Sequence, residues 1–388
     1  MTKPIRDLIP QYIRSIDPYK PGKPVEEVER ELKIRAVKLA SNENPLGPSP
    51  LAVEAAQRAL REANRYPDGG GFYLRQKLAA RYNVSMEQII LGLGSSELID
   101  LAARALLNAE TEAVTSEGSF PLYYISARAA GATLIEVPLA EYAFDLDGIS
   151  SAITPRTRLI YLANPNNPTG TMFTADEFDR FLARVPEHVL VVLDEAYCDY
   201  VERADYSRAI DIARQAPNLL VLRTFSKIYG LAGIRMGYGI GPADLLMELN
   251  KLRTPFNTSS VAQAAALAAL DDMDHVRRSV EANRAGLRQL ADGLTALGVP
   301  FVPSVTNFLL VELGEDTKTL AEELLRRGVI VRPMAWMGFP NAIRVSVGTA
   351  EENRLFLSAL GAIRAARAPK SASEAPTPEA SGRGEAAS

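Results

Sequence analysis

Three apolar runs in this chain end in residues that could do chemistry. LIYLA ends in Asn164-Pro-Asn-Asn167-Pro-Thr-Gly, VLVVL in Asp194-Glu195-Ala-Tyr197, and LLVL in Arg223-Thr224-Phe-Ser226-Lys227, with Arg235 beyond a Gly-containing loop. A lysine amine can add to a carbonyl and form a Schiff base. A carboxylate can keep a heterocyclic nitrogen protonated, and an amide and a phenol can hydrogen-bond an oxygen anion. An arginine, hydroxyls and the free N–H groups of a helix start can hold a phosphate. The turn Gly94-Ser95-Ser96 opens a helical stretch directly after a strand-like one and offers such N–H groups. Singly, each feature is ordinary: a lysine after a strand is usually solvated, and Ser95 and Ser96 would serve as plain helix caps. Together they form a constellation.

Pyridoxal phosphate needs this set. Lys227 can take its aldehyde, and Asp194 can keep its pyridine nitrogen protonated so that the ring draws in electrons. Asn167 and Tyr197 can bind the ring oxygen, and Ser95, Ser96, Thr224, Ser226 and Arg235 the phosphate. Spacing alone does not decide between Asp194 and its neighbour Glu195 as the ring acid.

Such residues need strands to carry them. QIILGLG, EAVTSEG, TLIEVPL, TRLIYLANP, VLVVLDEAY and LLVLRTFS read as strands, with helical stretches such as SSELIDLAARALLN and PLYYISARAAG between them. Apolar strands alternating with helices predict an α/β fold, a mostly parallel sheet covered on both faces. Ligands bind such sheets at the carboxyl ends of the strands, where these residues fall. After Thr254 a long helical region and short strands (NFLLVEL, VIVRPM, AIRVSVG) predict a smaller α+β domain. The expected division is an amino-terminal segment, 1–40, packing with the small domain; a large domain, 41–254; the small domain, 255–367; and a tail, 368–388. That tail is rich in Pro, Ser, Ala and Glu and reads as disordered.

Composition excludes several alternatives. A net charge of −4 announces no large basic surface for nucleic acid. The amino terminus mixes charges into its apolar residues and is no secretory signal, and no apolar run is long enough for a bilayer. One cysteine, Cys198, rules out an internal disulfide framework, so a cytoplasmic enzyme is expected. With only His188 and His275 available, a His-rich metal site is not expected. Both read as solvated or satisfied histidines, and Cys198 as a small buried residue.

NPNNPTG, DEAY, and TFSK followed by GLAGIRMGY resemble the signatures of the fold-type-I aminotransferases. SNENPLGPSP, NRYPDG, GVIVRP and IRVSVGT narrow the resemblance to the class-II subgroup and, within it, to the histidinol-phosphate aminotransferase family, over residues 19–350. The resemblance implies an aspartate-aminotransferase-like large domain with a smaller one. It selects Asp194 over Glu195. It gives Lys227 two duties, holding the cofactor through a Schiff base and, once released, moving the proton between the substrate's Cα and the cofactor's C4′. It implies a homodimer in which Tyr66, in NRYPD, reaches the phosphate of the neighbouring subunit's cofactor. Phe120, in Gly118-Ser119-Phe120, stands where the family carries an aromatic residue stacked on the ring, often a tyrosine. It can stack but offers no hydroxyl. Arg344, with Tyr19 and Arg332, would bind the anionic end of the substrate, although Arg344 could instead form an internal salt bridge.

The expected reaction is amino transfer from L-histidinol phosphate to 2-oxoglutarate, giving imidazole acetol phosphate and glutamate in histidine biosynthesis. An aromatic amino acid such as phenylalanine is the alternative donor, since it too presents a flat ring and an anionic tail. A decarboxylase acting on an amino-acid phosphate would share the same cofactor residues. A nicotinamide-dependent oxidoreductase fits less well. IILGLGSSE has strand, Gly-x-Gly and helix in order, but Glu97 replaces the third glycine. That reading also leaves NPNNPTG, DEAY and TFSK unexplained. A binding module without activity would have no need of the lysine, the acid and the arginine together.

Overall fold

The computed structural model describes residues 4–19, 22–314 and 317–367. The tail 368–388, expected to be disordered, lies outside the described residues, as do residues 1–3 of the amino-terminal segment. The strands are, in chain order, β1 (Val37–Lys38), β2 (Ile89–Gly92), β3 (Glu112–Ser116), β4 (Thr133–Val137), β5 (Thr157–Ala163), β6 (Leu190–Asp194), β7 (Leu219–Thr224), β8 (Gly237–Ile240), β9 (Phe301–Val302), β10 (Phe308–Glu312), β11 (Val329–Ile330), β12 (Arg332–Pro333) and β13 (Ala342–Ser346). Seven of them form one sheet, in the order β2-β8-β7-β6-β5-β3-β4. From β7 to β4 every pairing is parallel. The runs LIYLA, VLVVL and LLVL are buried almost throughout, because helices cover both faces of the sheet and leave no solvent side to alternate with.

One central strand is hard to read from sequence. Gly237-Tyr238-Gly239-Ile240 carries two glycines, which weaken a strand and make the run look like a loop. The glycines are needed because neighbours come too close for a side chain. A Cβ on Gly237 would lie 2.5 Å from the carbonyl carbon of Gly94, and one on Gly239 would lie 3.1 Å from the Ile90 side chain. This strand runs antiparallel to both β2 and β7, so it begins at the edge where they end. Arg235, just before it, is thereby delivered to the same edge as Asn167, Asp194 and Lys227.

The larger hydrophobic core continues past Thr254, where the texture of the sequence changes. The helix Ser260–Ala269 packs on the helix Pro50–Ala59, and Ala262, Ala265, Ala266 and Ala269 are buried in that core. Alanines let the two helix backbones approach closely, a packing role that helical texture alone does not reveal. The helix Met273–Ala296 then runs from the larger core, at Val276 and Val280, to a second one, at Leu290 and Leu294. The second core lies against the antiparallel sheet β12-β13-β10-β9 and the helix Ala350–Arg367. The amino-terminal part joins this side: β1 pairs with β11, and Val28, Ala36 and Ala40 bury against Ile330. Among the described residues no helix is long and apolar enough to cross a membrane.

Candidate active site

A cavity of about 220 Å³ opens at the carboxyl edge of the large sheet. Lys227, Asp194, Asn167, Tyr197 and Phe120 line it, together with a hydroxyl group of residues (Ser95, Ser96, Thr224, Ser226) beside Arg235, and with Tyr19, Arg332 and Arg344. Of the residues expected to hold cofactor or substrate, Tyr66 lies outside this lining.

Burial separates Asp194 from Glu195. Asp194 lies in the cavity wall and is 4% exposed. Its Oδ2 accepts from the Tyr123 hydroxyl at 3.2 Å and its Oδ1 from the Ala196 N–H at 3.1 Å. Burial pushes its carboxyl up to about 6, against the pull of those two donors and of the Lys227 ammonium. A cationic ring nitrogen would reverse that shift. Glu195 instead pairs with Arg223 on the neighbouring strand, whose Nη2 lies 2.7 Å from its Oε2. Adjacent strand-end residues point apart, so one acid serves the cavity and the other an ion pair behind it.

Tyr197 and Lys227 are held by the loop SNENPLGPSP, none of whose residues was given a site role from the sequence. Asn42, at φ 55°, donates to the Tyr197 hydroxyl oxygen at 2.9 Å. Its own Oδ1 accepts from Ser346 at 2.9 Å, and Asn307 holds its carbonyl. With its oxygen accepting from Asn42, the phenol keeps its own proton free to donate into the cavity. The Lys227 ammonium lies 5.5 Å from the centre of the Tyr197 ring and donates to the Ser41 carbonyl at 3.4 Å, a long hydrogen bond. Asn42 and Tyr197 are 155 residues apart. No local pattern links them, and neither Asn42 nor Tyr123 was singled out from the sequence.

The hydroxyl cluster is built around glycine. Gly94, at φ +76°, caps the helix Ser95–Leu106 without a side chain, and a Cβ there would lie 2.8 Å from Arg235 Nη2. Thr224 donates to Ser226 at 2.9 Å, and Arg235 reaches Ser226 at 3.4 Å. A helix start, two hydroxyls and a guanidinium converge there, an arrangement suited to a phosphate. The donor set as a whole therefore fits pyridoxal phosphate: an amine, a buried acid, a phenol and amide donors, and this anion cradle.

A second cationic group faces the cavity from the small sheet. Arg332 and Arg344 stand opposite each other on β12 and β13. Arg344 is buried, and burial draws its pKa down, as does the like charge of Arg332. Its Nη1 donates to Asn167 Oδ1 at 2.5 Å and its Nη2 to the Ala40 carbonyl at 2.7 Å. An arginine only donates, so Asn167 must turn its oxygen to Arg344 and its NH₂ away, free to donate in turn. Arg344 Nε is buried with no hydrogen-bond partner among the described residues. An orphaned buried donor costs roughly 1–3 kcal/mol, which an anionic ligand would recover. Among the described residues Arg344 has no carboxylate partner: its hydrogen bonds go to an amide and a carbonyl.

Tyr66 is 83% exposed and stacks on Phe256, ring centres 4.7 Å apart. His188 is exposed; His275 is buried, with its Nε2 3.5 Å from both Asn44 and Ser279. Cys198 is buried and unpaired, and burial raises its thiol pKa. No cluster of metal ligands is found among the described residues.

The chain belongs to the aminotransferase class I and II family, whose model matches residues 34–360. Within that family it belongs with the histidinol-phosphate aminotransferases. It is 50% identical to histidinol-phosphate aminotransferase 1 of Nitrosococcus oceani over 349 residues, 90% of this chain and 94% of that one. It is also 50% identical to histidinol-phosphate aminotransferase 2 of Pseudomonas aeruginosa over 356 residues, 91% and 96% of the two chains. The crystal structure of histidinol-phosphate aminotransferase from Sinorhizobium meliloti, in complex with pyridoxal-5′-phosphate, superposes with a TM-score of 0.83 at 30% identity, covering 92% of this chain and 98% of that one. The fold expected from the strand pattern is thus the fold-type-I architecture of these enzymes.

Proposed function

We propose that the chain uses pyridoxal phosphate to transfer the amino group of L-histidinol phosphate to 2-oxoglutarate, giving imidazole acetol phosphate and glutamate. The observation that carries this reading is the orphaned Nε of Arg344, facing Arg332, in a cavity that already has a separate anion cradle at Arg235. One anion site suits the cofactor's phosphate and the other suits the donor's. When bound, the cofactor supplies an aldehyde and a protonated pyridine that draws electrons from the donor's Cα.

The chain's own groups do the rest. Lys227 holds the cofactor, then takes the Cα proton of the donor and returns a proton to the oxo acid in the reverse half. Asp194 keeps the ring nitrogen protonated. Tyr197 and Asn167 donate to the ring oxygen, while Phe120 supplies an apolar face for the ring. Ser95, Ser96, Thr224, Ser226 and Arg235 bind the cofactor's phosphate; Arg344, Arg332 and Tyr19 bind the donor's. Among the described residues no helix is long and apolar enough to cross a membrane, and a place in histidine biosynthesis supports a cytoplasmic enzyme.

Comparing donors tests the substrate. Steady-state kcat/KM with 2-oxoglutarate is expected to favour histidinol phosphate over phenylalanine by at least roughly a hundredfold, since a dianion gains two charge-assisted guanidinium contacts. Equal values would replace a histidine-biosynthesis role with a general aromatic one. Release of carbon dioxide from threonine phosphate would make the chain a decarboxylase.

The exposed aromatic face is read here as the meeting place of two copies. Tyr66, Phe72, Tyr73 and Phe256 are large apolar side chains left open, and such exposure marks an association surface. In the dimer, Tyr66 would reach the phosphate of the partner's cofactor. Tyr66→Phe is expected to leave the dimer's mass unchanged by light scattering and to raise the cofactor's Kd about tenfold, one lost hydrogen bond to a charged group. A monomeric wild type, or an unchanged Kd, would refute this role.

A further inference from the structure

The chain has one tryptophan, Trp336, and it stands behind Arg332 rather than in the cavity. The Arg332 guanidinium carbon lies 4.9 Å from the centre of the Trp336 ring and 5.6 Å from that of Tyr19. The two rings meet edge to face, 81° apart with centres at 5.6 Å. Arg332 therefore sits in an aromatic corner whose two walls are nearly perpendicular. The wall at Trp336 is rigid. It belongs to the short turn Ala335–Met337, and the flanking Met334 and Met337 are buried with Val302 and Leu310. A hydrogen bond from Met334 N–H to the Ala342 carbonyl ties the turn to β13.

The corner matters because Arg332 faces another cation. Arg344 is its cross-strand partner, and burial lowers the pKa of both. Like charges directly opposite each other are destabilising. A cation over an indole face is attracted to it, so Trp336 helps to offset the repulsion and to hold Arg332 beside Arg344. Arg344 is fixed by Asn167 and the Ala40 carbonyl.

We propose that Trp336 is a positioning residue that sets the preference for dianionic donors by holding Arg332 next to Arg344. A phosphate dianion uses both guanidiniums; a single carboxylate is served by Arg344 alone. Without Trp336 that attraction no longer offsets the repulsion between the two cations, and the dianion's contact with Arg332 weakens. This rests on the donor reading given above and adds a residue to it.

The test uses the holoenzyme, whose cofactor already fills the Arg235 cradle. In the half-reaction without oxo acid, Trp336→Leu is expected to raise the apparent KM for histidinol phosphate about tenfold, with the maximal rate within about twofold of wild type. Its parameters for phenylalanine stay unchanged, and Trp336→Phe, which keeps an aromatic face, recovers most of the loss. Inorganic phosphate titrated at pH 8 is expected to change the emission of Trp336 in wild type and not in Arg332→Met. An unchanged KM in Trp336→Leu, or an equal loss for both donors, overturns the proposal. So does a tryptophan emission indifferent to phosphate. If wild type itself does not prefer histidinol phosphate, the donor reading fails instead, and the phosphate titration, which needs no substrate, still decides whether the corner senses an anion.

Discussion

Lys227→Ala is expected to abolish amino transfer, with kcat falling by at least roughly 10⁴-fold, the upper range for loss of a general acid–base. Here the same residue is also the covalent holder of the cofactor, so the two losses fall together. The purified variant should lack the visible absorption of lysine-bound cofactor, and borohydride should no longer attach cofactor to the chain. Its fold should survive. The Lys227 amine makes one long hydrogen bond, 3.4 Å to the Ser41 carbonyl, and a contact with the Tyr197 ring, so thermal unfolding of the apo form should be nearly unchanged. An alanine variant that keeps the band, or that turns over within tenfold of wild type, would move the covalent role to another lysine.

Asp194→Asn is expected to lower kcat by roughly 10³-fold, because a neutral amide no longer stabilises the positive ring nitrogen on which electron withdrawal depends. Its effect on the apoenzyme should have the opposite sign. Folding raises the Asp194 carboxyl from 3.8 to about 6 by burial, so the folded chain holds this proton more tightly than the unfolded chain. The destabilisation is therefore absent below about pH 4, grows as the pH rises through that window, and is complete above about pH 6. The gap from 3.8 to about 6 amounts to about 3 kcal/mol. Apo Asp194→Asn should consequently melt above apo wild type at pH 7.5, with the difference fading towards pH 4, while the wild type gains more on binding cofactor. A variant less stable than wild type at both pH values would mean that Asp194 is a structural acid. Glu195→Gln provides the contrast: it leaves the half-buried Arg223 without its carboxylate partner and should cost stability at neutral pH.

The fold was largely legible because fully buried parallel strands announce themselves as unbroken apolar runs. Asn167, Asp194, Tyr197, Thr224, Ser226 and Lys227 line the cavity and stand where those runs end, so their meeting followed from the sheet rule alone. Three things were hidden, each for a physical reason. The strand Gly237–Ile240 reads as a loop because its glycines answer to the close approach of Gly94, a tertiary demand. Asn42 and Tyr123 support Tyr197 and Asp194 across long sequence separations, and a loop asparagine or a helix tyrosine carries no mark of its partner. The choice between Asp194 and Glu195 turned on Arg223, whose ion pair with Glu195 crosses two strands. Strand alternation, extended to the residue after the strand end, turns the two acids to opposite sides, and Arg223 marks the side of Glu195. Tyr66 is a different case, since within its own chain it stacks on Phe256, while the phosphate it is proposed to reach belongs to a second subunit.

The most direct measurement is a single turnover of the holoenzyme with histidinol phosphate in the absence of any oxo acid. The expected result is one imidazole acetol phosphate per active site, with loss of the visible absorption of lysine-bound cofactor and its return on addition of 2-oxoglutarate. Loss of the band without that product, or a product yield that stays near zero while phenylalanine is deaminated one for one, would contradict the assignment.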